Sequence, residues 1–247
     1  MPEINKANRQ VCDVEFRVLK TKKPYMLFDT ANTTTMGVEG ESVFAMAKGS
    51  RRITFENAPT GSMTIEAQVI PFKVFALFAN GDVETKAVYA VHKKITCETA
   101  GSLTIGNDVE AGTLFVYPEG SYGDESALIA GTLATGTFTA TTASNIAEDG
   151  IYEVGYLVKK ESGVKKVSIN TKNMPKDYYV TMNTVDKDED GLLTPFVITA
   201  YKAHVQRNFE LSFSSEGDPA SITISLDLLE DKDGNMIDMV ELTDEAA

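Results

Sequence analysis

The sequence predicts a mainly β protein with one short buried helix and a small inserted β-sandwich. Three observations carry this. Apolar and polar residues alternate with period two over residues 11–19, 63–69 and 222–228, as in strands with one buried face. Residues 72–79 are too densely apolar for alternation. Residues 100–170 are rich in Gly, Thr, Ser and Ala, with short alternating runs between turn clusters, the spacing of a small β-sandwich.

Taken in order, Val14, Phe16 and Val18 alternate with Asp13, Glu15 and Arg17, a strand. Residues 21–24 turn, residues 25–29 return, and after a polar run another strand lies around 36–39. Residues 41–55 fit a long hairpin or an extended loop, with Gly49 and a basic cluster of Lys48, Arg51 and Arg52. That cluster reads either as a solvated turn or as an arm meeting an acidic surface on another subunit. Met63, Ile65, Ala67 and Val69 then form a strand that stops at Pro71. The apolar run that follows predicts a helix with Pro71 at its first position and Gly81 in the left-handed conformation at its end. Its rival is a hairpin, because Asn80-Gly81 is also a strong two-residue turn.

Residues 83–98 read as one or two strands. Within the insert, runs at 113–116, 137–141, 152–158 and 167–169 alternate between turns at 118–121, 148–150 and 161–163. Asp186, Asp188, Asp190 and Gly191 open like a calcium-binding loop, but the twelfth position is Val197, so an acidic turn is expected instead. Phe209, Leu211 and Phe213, then Ile222, Ile224, Leu226 and Leu228, predict an antiparallel pair turned at 215–219. A last strand over 236–242 and an acidic tail from Thr243 follow.

Hydrophobic residues make up 43% and charged residues 24% of the 247, ordinary for a globular chain. No apolar run reaches membrane-spanning length and residues 1–10 hold no secretory core, so folding in a cytoplasm is expected. Cys12 and Cys97 make neither a disulfide framework nor a zinc site; they read as core residues, with a redox pair as the alternative. Net charge is −13 overall, and residues 181–247 hold 4 Lys+Arg against 15 Asp+Glu. That balance argues against tight DNA binding, which needs clustered Lys and Arg, and fits either repulsion of a polyanion or simple solubility. His92 and His204 lie in predicted strands beside no nucleophile motif, and phosphate-loop, dinucleotide and metalloprotease motifs are absent. No catalytic, cofactor-binding or metal-ligating residue is expected, and the chain reads as no enzyme.

The order of strand, T-I-E-A-Q-V-I-P-F, apolar helix and Gly at residues 64–81, with Y-K-A-H-V-Q-R-N-F-E-L-S-F-S-S-E-G-D-P-A-S-I-T-I-S-L-D-L-L-E-D near the C-terminus, resembles the tail tube (major tail) proteins of tailed bacteriophages. The resemblance implies two packed antiparallel β-sheets, as a sandwich or barrel, flanked by a short helix. It assigns residues 1–99 and 171–247 to a tube-like domain and 100–170 to an inserted Ig-like β-sandwich on the outside. It further implies self-assembly into stacked hexameric rings in the virion tail, with tape measure and tail terminator or baseplate proteins as partners. Double-stranded DNA would pass through the lumen without specific binding, and Lys48, Arg51 and Arg52 would contact the adjacent ring. Competing readings are another β-rich virion component, a decoration or baseplate protein, or a carbohydrate- or cell-surface-binding module presenting Tyr117, Tyr122 and Tyr152.

Overall fold

A branched antiparallel sheet of nine strands organises the first of two compact units, residues 1–82 with 167–247; residues 83–166 form the second. The computed structural model describes residues 5–174, 176–212, 215–217 and 219–243. The strands are β1 (Lys6–Asn8), β2 (Asp13–Val18), β3 (Pro24–Phe28), β4 (Thr33–Glu39), β5 (Ser42–Ala47), β6 (Ser50–Glu56) and β7 (Thr60–Ala67), followed by the helix α1 (Val74–Ala79). The second unit holds β8 (Ala87–Thr96), β9 (Ser102–Thr104), β10 (Phe115–Pro118), β11 (Gly131–Ala134), β12 (Thr137–Ala140) and β13 (Ile151–Lys160). The first unit resumes with β14 (Asp177–Asp188), β15 (Leu193–Val205), β16 (Ile222–Leu229) and β17 (Ile237–Glu241).

The sheet branches because its two longest strands outrun any single neighbour. β14 takes β2 along Tyr178–Asn183 and β1 along Asp186–Asp188 on the edge away from β15. β15 takes β17 along Phe196–Ala200 and β16 along Lys202–Val205. The order is β3-β2-β14-β15-β16-β7-β4. Alternate residues of these strands, among them Phe16, Phe28, Ile65, Val180, Ala203 and Leu226, are buried in one core roofed by Val74, Leu77 and Phe78 of α1. The expected β class and short helix are present. The antiparallel sheets of this body are the nine-stranded sheet and the separate two-stranded β5–β6 sheet, and no barrel closes among the described residues.

The helix forms where the apolar run predicts it, with its ends shifted. Lys73 is the N-cap, and the Pro71 carbonyl accepts the Val74 N–H at 2.9 Å, so Pro71 precedes the helix instead of starting it. The left-handed residue is Asn80 (φ 49°), not Gly81. Asn80 N–H bonds to Leu77 O and Gly81 N–H to Ala76 O, each at 3.3 Å, a pairing that satisfies two terminal carbonyls and tolerates Asn in place of Gly.

Two further expectations change. β14 occupies a stretch where only an acidic turn is expected; that turn is the β14–β15 connection, with Asp188 accepting the Leu192 N–H at 2.7 Å. Residues 206–212 form no strand. The partner of β16 on that side is β15, and Phe209 stacks on Phe78 of the helix at 4.6 Å. Phe213 and residues 244–247 lie outside the described residues.

In the second unit, the sheets β10-β13-β8 and β11-β12-β9 share a core that includes Cys97, Leu103, Val116, Phe138, Ile146 and Val154. Tyr152 is buried there, its hydroxyl accepting the Ala147 N–H at 2.7 Å, the partner a buried phenol requires. Residues 113–114 and 167–169 form no strand.

Candidate assembly surfaces

β4 and β7 pair from Thr33↔Glu66 to Glu39↔Thr60, and beyond that ladder the same two chain segments continue as the β5–β6 hairpin. Asn57 N–H bonds to Glu41 O at 2.9 Å between the two ladders. The hairpin pairs with no other strand among the described residues. Lys48 (φ 50°) and Gly49 (φ 81°) make its turn, the paired positive-φ geometry that matches the twist of adjoining strands.

The register assigns its faces. Val43 opposes Phe55 and Ala45 opposes Ile53, giving one apolar face. A bulge then makes Arg52 the extra residue and puts Arg51 opposite Met46, on the face of Phe44, whose ring lies 4.1 Å from the guanidinium. Phe55 is 58% and Met46 61% exposed. The basic cluster therefore splits into turn (Lys48), ring-stacked (Arg51) and bulge (Arg52) positions. In the sequence these exposed apolar residues are signalled only by the alternation in V-F-A-M-A and I-T-F, which the more visible basic cluster overshadows.

A second surface is the outward face of β16, β7 and β4. Cross-strand rows run Thr223–Glu66–Thr33, Ser225–Thr64–Thr35 and Asp227–Ser62–Gly37. None of these three strands contains a lysine or arginine. Asp227 accepts the Gln206 side-chain amide at 2.6 Å. The face is hydroxyl-rich and acidic, while β4 leaves its far edge unpaired among the described residues.

The histidines, cysteines and acidic residues of possible chemical use are occupied separately. His204 Nδ1 lies 2.7 Å from Asp177 Oδ1, and Lys202 approaches the same carboxylate at 3.7 Å. His92, in the other unit, lies 3.7 Å from Glu153. Cys97 is buried in the second core and Cys12 partly buried against the first; both are free thiols. Asp186 accepts the Asn8 side-chain amide at 2.9 Å, and among the described residues no group of three His, Cys, Asp or Glu is placed to hold a metal ion. Tyr201 donates to Asp238, which pushes its pKa up to about 12, and burial raises that of Tyr178. No helix among the described residues is long and apolar enough to cross a membrane.

Comparison with curated proteins returns no match. The model of the YomU/Tube protein family matches residues 9–242, both units included. A phage tube family implies a structural role in a virion tail and not a catalytic one. The exposed hairpin and the polar sheet face thus belong to a chain that is a member of the YomU/Tube protein family, in keeping with its resemblance to phage tail tube proteins.

Proposed function

We propose that this chain polymerises as stacked hexameric rings that form the tube of a phage tail, a conduit for DNA ejection. The observation that carries the proposal is the β5–β6 hairpin. A two-stranded hairpin is marginal in water, and this one exposes Val43, Ile53 and Phe55 on one face and Met46 on the other. Each such side chain contributes about 1.5–3 kcal/mol when fully buried, so a neighbouring ring is the natural cover. Lys48, Arg51 and Arg52 then steer the arm toward the acidic surface of a chain with net charge −13. Head-to-tail stacking extends without limit, whereas contacts around the ring close on themselves.

The β16–β7–β4 face is assigned to the lumen, where hydroxyls and the carboxylates of Glu66 and Asp227 keep passing DNA from adhering. Residues 83–166 decorate the outside. Assembly takes place in the host cytoplasm with tape measure and tail terminator or baseplate proteins.

Electron microscopy of the purified protein tests this: rings and tubes with a central channel are expected. Ile53→Asp with Phe55→Asp is expected to leave rings but abolish tubes, and tubes unchanged in that variant would overturn the assignment of the arm. Glu66→Lys with Asp227→Lys is expected to slow DNA passage in an ejection assay; unaltered kinetics would remove the electrostatic role of the face.

A further inference from the structure

The second unit carries an aromatic platform that the tube reading does not use. On the outer face of the β10-β13-β8 sheet the register aligns Phe115, Gly155 and His92 in one row and Tyr117, Glu153 and Lys94 in the next. Tyr122, from the loop after β10, lies across Gly155. A Cβ on Gly155 would stand 2.0 Å from the Tyr122 hydroxyl oxygen, so the absence of a side chain at 155 is what seats the ring. His92 lies beside it at 4.1 Å, tilted by 36°, and Tyr117 meets it edge-on at 5.3 Å. Phe115 and Tyr122 are nevertheless about half exposed, at 48% and 47%. Tyr122, held by its neighbours yet left half in water beside Phe115, leaves apolar surface without cover.

The polar side chains beside the rings are also fixed. Glu153 is only 7% exposed, its carboxylate 3.3 Å from Lys94 and 3.7 Å from His92. Lys94 bonds in turn to Glu119 at 2.7 Å. Next to this row, Phe115, Tyr122, Tyr156 and Leu157 line a cleft of about 450 Å³, within the roughly 300–1,000 Å³ range of small-molecule sites.

We propose that this platform binds a neutral saccharide, one pyranose face against Tyr122 and Phe115 in the cleft and its hydroxyls reaching the exposed Glu119 and Lys94 beyond it. The chemistry selects this occupant. A sugar ring presents an apolar C–H face and an equatorial belt of hydroxyls, matching rings flanked by charged hydrogen-bonding groups. A polyanion is disfavoured, because the carboxylates of Glu119 and Glu153 outnumber the ammonium of Lys94. Preorganised rings lower the ordering cost that limits such weak ligands.

Saturation-transfer NMR of the full chain with maltotriose, cellotriose and chitotriose tests the proposal. Saturation of the pyranose C–H protons by at least one probe is expected. Tyr122→Ala and Phe115→Ala are each expected to weaken binding about tenfold or more, and Tyr122→Phe to keep it. Gly155→Ala, which displaces the ring, supplies a second route to the same loss, with folding followed by the spectrum of the remaining unit. Saturation by none of the three, or binding undiminished in both alanine variants, overturns the proposal. So does protection of Tyr122 by a second copy of the chain. None of these outcomes depends on whether tubes form.

Discussion

The β4–β7 and β5–β6 ladders are built from the same two chain segments, yet they are opposite in energetic character. In the first, Met63 and Ile65 are fully buried and Met36 partly so beneath the shared core. In the second, every residue of β6 is exposed, including Ile53 and Phe55. Both ladders carry the alternation of a half-buried strand, but only one finds its cover within the chain. The lesson is that apolar alternation states a demand for burial without stating who meets it. A ladder whose demand is unmet in the monomer marks a surface for assembly.

The sharpest way to break the comparison is to remove the cover from the buried ladder. Phe78 is 1% exposed and stacks on Phe209 at 4.6 Å, with 22° between the rings. Phe78→Ala is expected to destabilise the monomer by about 3–5 kcal/mol. Phe55→Ser, an aromatic loss on the exposed ladder, is expected to stay within about 0.5 kcal/mol of wild type. Denaturant unfolding of unpolymerised protein measures both. A comparable loss in both variants would mean that the hairpin is covered within its own chain.

The same contrast explains what the sequence reveals. Strands β2, β7 and β16 are read directly, because their alternation marks one face and their neighbours supply the core. The stretch from Phe209 fails for an instructive reason: its alternation is real, but Phe209 packs half-buried against a helix and not on a ladder. β14 carries an equally clear pattern in Tyr178, Val180, Met182 and Thr184, and goes unrecognised beside the acidic residues that end it. The helix boundary turned on Asn80 and Gly81, either of which tolerates a left-handed backbone. Of the assembly surfaces, the basic residues of the hairpin are visible as charge. Its apolar pairs, and the seating of Tyr122 on Gly155, depend on register and on contacts between distant strands, which no local pattern records.

A smaller effect tests the lid over the buried ladder. Asn80 ends α1 in the left-handed region, and its side-chain oxygen is buried without a hydrogen-bond partner among the described residues. Asn80→Ala is expected to cost about 1 kcal/mol, because a residue with a Cβ and no local hydrogen bond resists positive φ. Asn80→Gly keeps the conformation and removes the orphaned oxygen, so it is expected to match or exceed wild-type stability. Thermal melts of both variants beside wild type decide this; a Gly variant less stable than wild type would mean that the Asn80 amide is held by a bond this geometry lacks.

The smallest expected effect lies on the outward, solvated side of the sheet, where polar contacts take the place of packing. Tyr201 on β15 donates to Asp238 on β17, and that bond raises its pKa from 10.0 to about 12. The folded chain therefore retains a proton that the unfolded chain releases. The contribution is fully present below about pH 10 and is lost as pH rises from 10 toward 12. Tyr178 and Tyr25, whose phenols are raised chiefly by burial, act in the same direction, so the wild type loses stability with pH through several groups at once. Tyr201→Phe is expected to make the decline of the melting temperature across that window shallower without eliminating it. An unaltered decline would show that this solvated contact adds nothing to folding, and that the outward face is stabilised by its backbone ladder alone.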